Sequence, residues 1–193
     1  MSTRNHWFDW LKLFAALAMV ADHLRFVFLD SSWLFVPGRI AFPLFAFVAV
    51  QNFRSSRRIP YMGRLLFFAI ISEIPFHLLT GQTGNILFLF YFVFFSIELG
   101  FLSVATIFGV IGCDYGILGA IGVFLMWFRG SSFLIAFGGA LMNPLPFGWI
   151  SGMAAVFADR KISCVPAPSC VRWMAWFYPL HLCSLLLLKI ALG

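Results

Sequence analysis

Charge is the scarcest property of this chain. Lys and Arg number 13 and Asp and Glu 7, so ionic side chains make up only 10% of 193 residues, against roughly a quarter in an ordinary soluble domain. A surface that poor in charge excludes a water-soluble globule. Cysteine is also sparse: Cys113, Cys164, Cys170 and Cys183 form no C-x-x-C pair and have no histidine at zinc-ligand spacing. That excludes a zinc module and argues against a disulfide framework, so free thiols and no metal site are expected. There is no internal repeat, no low-complexity tail and no polar stretch long enough for a soluble domain.

What fills the chain instead is apolar. Hydrophobic residues make up 62% and aromatic residues 19%, and the mean hydropathy is +0.97. This composition predicts an all-α, polytopic transmembrane helical bundle, with residues 1–193 forming a single integral-membrane domain. The formal charge of +6 does not point to nucleic acid. The arginines cluster in loops rather than along a groove interleaved with aromatics, and they read as topology signals. "ALA" at Ala16–Ala18 resembles a signal-peptide cleavage site, but the apolar run continues past it to Leu29, so a retained first helix is expected.

Turn and charge punctuation divides the chain into about nine apolar segments, near residues 8–29, 34–53, 61–79, 85–97, 99–112, 116–128, 132–142, 148–158 and 173–192. The first three and the last approach the roughly 20 residues that a spanning helix needs, and the middle five are short. The loop "RSSRRIPYMGR" carries Arg54, Arg57, Arg58 and Arg64. Loops this basic stay in the cytoplasm, which places the N-terminus there too and Arg129, Arg160, Lys161 and Arg172 on the same side.

Against that map, polar side chains gather in the outer half of the bilayer. Asp22 and His23 lie near the end of the first segment, Arg39 opens the second, and Glu73 and His77 lie in the third. Asn85 opens the fourth, and Asp114 with Tyr115 forms an outer turn. Ionisable groups at membrane depth cost a few kcal/mol and normally face a protein or water-filled interior, so a cavity open to the outer side is expected. Lys12 and His23 are eleven residues apart, which puts them on one helix face about 16 Å apart. Glu73 and His77 are neighbours at i, i+4, and the carboxylate could hold that imidazole or reach across to His23. Pro75 between them suggests a kink. His181 follows the Tyr178–Pro179 pair in the middle of the last segment.

The ordered motifs "ADH" at Ala21–His23, "GRIAFPLFAF" at Gly38–Phe47, "SEIPF" at Ser72–Phe76, "NILF" at Asn85–Phe88, "CDYG" at Cys113–Gly116 and "FYPLHL" at Phe177–Leu182 resemble the TraX family, inner-membrane proteins linked to acetylation of conjugative pilin. The chain departs from that pattern at His77, where Asp is more usual, and at Leu89. The pair Lys12 and His23 is also similar to the first-helix pattern of the membrane acyltransferase-3 group. The resemblance implies acetyl-CoA taken from the cytoplasm as donor, a pilin N-terminal amine as acceptor on the outer side, and the bacterial inner membrane as location. It also implies His23 as general base or transient acyl carrier. Asp22, Glu73 or Asp114 would then orient His23, and Arg39 or Asn85 would serve the oxyanion. Lys12, Arg54, Arg57, Arg58 and Arg64 would hold the donor, with Tyr115, His77 and His181 as secondary site residues. A non-catalytic scaffold of the pilus machinery and a proton- or ion-coupled transporter are the alternatives.

Overall fold

The computed structural model describes residues 6–28, 34–100, 110–128, 132–143, 147–160 and 174–192. Among them are eight helices and no strand: α1 His6–Leu24, α2 Phe35–Ser55, α3 Arg58–Thr80, α4 Ile86–Leu99, α5 Gly116–Trp127, α6 Ser132–Leu141, α7 Gly148–Asp159 and α8 Met174–Leu192. This is the all-α bundle that the composition requires. The expected segment at 99–112 lies outside the described residues except at its ends. Three helices, α2, α3 and α8, are long and apolar enough to cross a membrane, while α4, α5 and α6 are shorter apolar helices of 14, 12 and 10 residues. The chain is a membrane protein.

The first helix stops at Leu24, five residues short of the expected Leu29, because the chain turns at once: Phe26 N–H donates to His23 O and Val27 N–H to Leu24 O. Asp22 thereby sits at the helix end with Arg25 one turn on, Nε to Oδ1 3.3 Å. Pro75 does not interrupt α3, which runs on as one helix to Thr80. There it ends on Gly81, whose φ of +77° is the left-handed cap that glycine adopts without cost.

Cross-helix contacts fix which ends lie together. At one end, the indole N–H of Trp7 on α1 donates to Ala158 O on α7, Arg58 on α3 pairs with Glu98 on α4 at 3.0 Å, and Arg54 on α2 stacks over Trp127 on α5. At the other end, Arg39 on α2 reaches Asn143 after α6, Asp114 N–H donates to Gly84 O, and Lys189 on α8 donates to Leu79 O on α3. By these contacts α1, α3, α6 and α8 run from the first end to the second, and α2, α4, α5 and α7 run back. The first end, which carries the arginine cluster, is called here the basic end, and the second the distal end.

Helices in lipid gain nothing from hiding apolar surface from lipid, so they associate through close packing of small residues. In the α5–α6–α7 layer a Cβ on Gly122 would overlap the Gly138 carbonyl, and one on Gly152 would meet Ala136 O at 2.8 Å. Phe42, Phe47, Phe53 and Phe94 fill the centre, with the Phe53 and Phe94 rings stacked at 4.4 Å.

Candidate functional site

At the distal end a cavity of about 350 Å³ is lined by Asp22, His23, Arg25, Arg39, Asp114, Tyr115 and Asn143, with Phe26 and Phe35 between them. The polar residues thus do line a cavity, at the distal end, and several helices build it. Arg39, 8% exposed, donates from Nη1 to Asn143 Oδ1 at 2.8 Å, lies 3.9 Å over the Phe35 ring and holds Nη2 3.8 Å from Asp22. Asn143 and Ser151 both donate back to the Arg39 carbonyl, at 3.2 and 2.8 Å, which locks the start of α2 against α6 and α7. A Cβ on Gly38 would overlap the Asp22 carboxylate, so only glycine lets α2 approach α1 there. Arg39 Nε and Arg25 Nε have no hydrogen-bond partner in the protein. Both atoms are buried, and Arg25 Nε stands 3.3 Å from Asp22 Oδ1 as an ion pair.

Asp114 accepts the Tyr115 N–H at 3.1 Å, and Tyr115 is the one described non-glycine residue with positive φ, +66°. A non-glycine residue in that conformation costs of order 1–3 kcal/mol and persists where packing over-determines it. Here the Tyr115 ring is held 3.8 Å from Phe42. Burial raises the Asp114 carboxyl to about 6, against the relief of its hydrogen bond from Tyr115.

The centre of the site is a histidine pair. His23 Nδ1 lies 2.8 Å from His181 Nε2, with the two rings nearly coplanar in orientation at 5.1 Å between centroids. His181 Nδ1 is 3.0 Å from Phe177 O, and a carbonyl can only accept. In the neutral pair His181 therefore carries its proton on Nδ1 and accepts at Nε2, so His23 donates from Nδ1 and keeps the lone pair on Nε2. That is the tautomer a general base requires.

This corrects the sequence reading in several places. None of the three expected carboxylates orients His23: Asp22 faces the two arginines, Asp114 caps its own turn, and Glu73 is spent elsewhere. Glu73 accepts from Gly84 N at 2.7 Å, Asn85 N at 3.1 Å and Asn85 Nδ2 at 2.8 Å, bracing the loop that starts α4. Asn85 is fully buried and N-caps α4 through Leu87 N, while its amide also donates to Ala69 O, so it has no donor for an oxyanion. His77 points to the exposed side of α3, against Gln82 O at 3.0 Å, and belongs to neither group. Arg25, Asn143 and Ser151 were missed. Arg25 carried a signal, three residues after Asp22 at a helix end.

A second cavity, of about 400 Å³, opens at the basic end among Lys12, Asn52, Ser55, Ser56, Tyr61 and Arg64 and rises between Phe45, Phe90, Met19, Ile86, Phe177 and Tyr178. Met19 and Phe177 are each one turn, about 6 Å, below His23 and His181, so the histidine pair stands between the two cavities. Of the five basic residues expected to hold a donor, Lys12 and Arg64 line this cavity, Lys12 with Asp9 at 3.0 Å. Arg58 is bound by Glu98, Arg54 lies over Trp127, and Arg57 is exposed where α3 starts. Among the described residues Cys113 is buried and Cys183 exposed, and Cys164 and Cys170 lie outside them.

With this geometry the chain can be set beside known proteins. The family model described as TraX protein matches residues 8–100. That match spans just under half of the chain and marks a similarity to the TraX family. That segment carries Lys12, His23, Arg39, the arginine cluster, Glu73 and Asn85, whereas Asp114, Asn143 and His181 lie beyond it. The probable fimbrial assembly protein FimC, serogroup H1, of Dichelobacter nodosus is 35% identical across 55% of this chain and 56% of its own length. Protein TraX of Escherichia coli is 39% identical across 42% of this chain and 35% of its own. The chain thus covers about half the length of the first relative and about a third of the second. No solved structure matches it.

Proposed function

We propose that this protein is a membrane acetyltransferase which passes an acetyl group from acetyl-CoA, bound at the basic end, to the N-terminal amine of a pilin at the distal end. The carrying observation is the His23–His181 pair, fixed in the base tautomer between a cavity entered past Lys12 and Arg64 and a polar cavity lined by Arg25 and Arg39. The TraX match and the relative named as a probable fimbrial assembly protein support a pilus setting. The basic end is cytoplasmic by its arginines, which gives a cytoplasmic N-terminus in the bacterial inner membrane.

In this reaction His23 Nε2 takes the proton of the attacking amine, and Nδ1–H, already directed at His181, holds the imidazolium in place. Lys12 and Arg64 pair the donor's phosphates, and Arg39 orients the acceptor. The apolar upper half of the basic-end cavity, Met19, Phe45, Phe90 and Phe177, suits the thioester arm and offers no continuous polar path for an ion, which favours transfer over transport. The test is the intact mass of pilin made with and without the protein. One acetyl group of difference supports the proposal, and identical masses leave a scaffold.

A further inference from the structure

With Asn85 committed to capping α4, the thioester oxygen lacks a donor on the side from which acetyl-CoA arrives. Arg39 lines the distal cavity and not the basic-end one. Tyr178 occupies the position that Asn85 cannot fill. It is 7% exposed, lines the basic-end cavity, and lies three residues before His181 on α8 with its ring 5.5 Å from that imidazole. Its hydroxyl oxygen faces the backbone N–H of Ile86, the first residue of α4. A hydroxyl has one proton and two lone pairs. An oxygen that accepts from an N–H has its own proton to give, and the residue that carries it lines the basic-end cavity three residues before His181 on α8.

We propose that the Tyr178 hydroxyl is the oxyanion donor of this site, giving its hydrogen bond to the acetyl oxygen while the positive end of the 14-residue helix α4 stabilises the same charge through Ile86. The inference rests on the acetyl-transfer reading. In the step it serves, the amine nitrogen bonds to the thioester carbon, the oxygen takes the negative charge and Tyr178 holds it. His23 removes the amine proton. Collapse then breaks the carbon–sulfur bond, and the departing thiolate takes that proton to become the CoA thiol. No oxidant or metal enters the balance.

Tyr178→Phe keeps the ring and deletes only the donor. With purified protein in nanodiscs, acetyl-CoA and a synthetic peptide bearing a pilin N-terminus, kcat should fall about 10²–10³-fold, the usual loss for one oxyanion donor. KM for acetyl-CoA and the binding of free CoA by calorimetry should stay within about threefold of wild type. A kcat within about threefold of wild type overturns the assignment. So does a parallel loss of CoA binding, because it would make Tyr178 a structural residue. A wild-type protein that transfers no acetyl group removes the acetyltransferase reading along with it, whereas an active wild type and an equally active Tyr178→Phe remove Tyr178 alone.

Discussion

Replacing Glu73 by Gln separates a structural carboxylate from a chemical one. The two oxygens accept three N–H groups, Oε1 from Gly84 N and Oε2 from Asn85 N and Asn85 Nδ2, all within 3.1 Å. An amide offers one oxygen. Its better orientation keeps that oxygen on Asn85 and turns the NH₂ toward the Gly84 N–H, donor against donor at what is now 2.7 Å. One charge-assisted bond is lost, the other two weaken, and the Gly84 N–H is left unmade. At about 1.5–3 kcal/mol for a hydrogen bond to a charged group, the net cost is about 2–4 kcal/mol. For a chain of this size that lowers Tm by roughly 4–16 °C. Gly84 is held from its other side as well, because its carbonyl accepts the Asp114 N–H at 2.6 Å. Differential scanning fluorimetry in detergent reads the shift, and acetyl transfer measured well below the lowered Tm should stay within a few-fold of wild type. An unchanged Tm with lost transfer would refute the bracing role and return Glu73 to the chemistry.

His23→Gln should insert and purify normally yet lose transfer by the 10²–10⁴-fold typical of a missing general base; near-normal pilin acetylation would remove the assignment. His181→Gln, whose amide oxygen can still accept from His23 Nδ1, should retain more activity and a more nearly wild-type pH profile than His181→Phe, and equal losses and profiles would refute the tautomer argument. A single cysteine at Thr83 should react with a membrane-impermeant maleimide in intact cells and one at Arg57 should not, with the reverse pattern inverting the two ends. Burial holds the Asp114 carboxyl at about 6, so the folded chain keeps that proton more tightly than the unfolded one. The stability it confers is present below the ordinary carboxylate range and lost as pH rises through about 6. Wild-type Tm should therefore fall relative to Asp114→Asn between about pH 5 and pH 7.5, and parallel curves would contradict the raised value.

Apolar content and charge placement determine the membrane class and the helical fold, because a bilayer allows a mainly apolar chain few other solutions. The depth of His23 and its spacing from Lys12 are likewise one-dimensional facts, and the structure puts those residues on different cavities joined by one helix face. Partners are another matter. Glu73 was as close to His23 in depth as any carboxylate, yet it faces the α4 loop because the left-handed turn at Gly84 presents N–H groups to it. His181 stands 158 residues from His23, and no local pattern encodes a contact at that separation. It exists because α8 lies beside α1 with their directions and heights matched, which α3 secures through Leu79 and Lys189. The sequence by itself determined which residues had to leave the lipid. Which of them meet, and so which proton sits on which nitrogen, was decided by how the helices pack, since side-chain hydrogen bonds reach only about 3 Å.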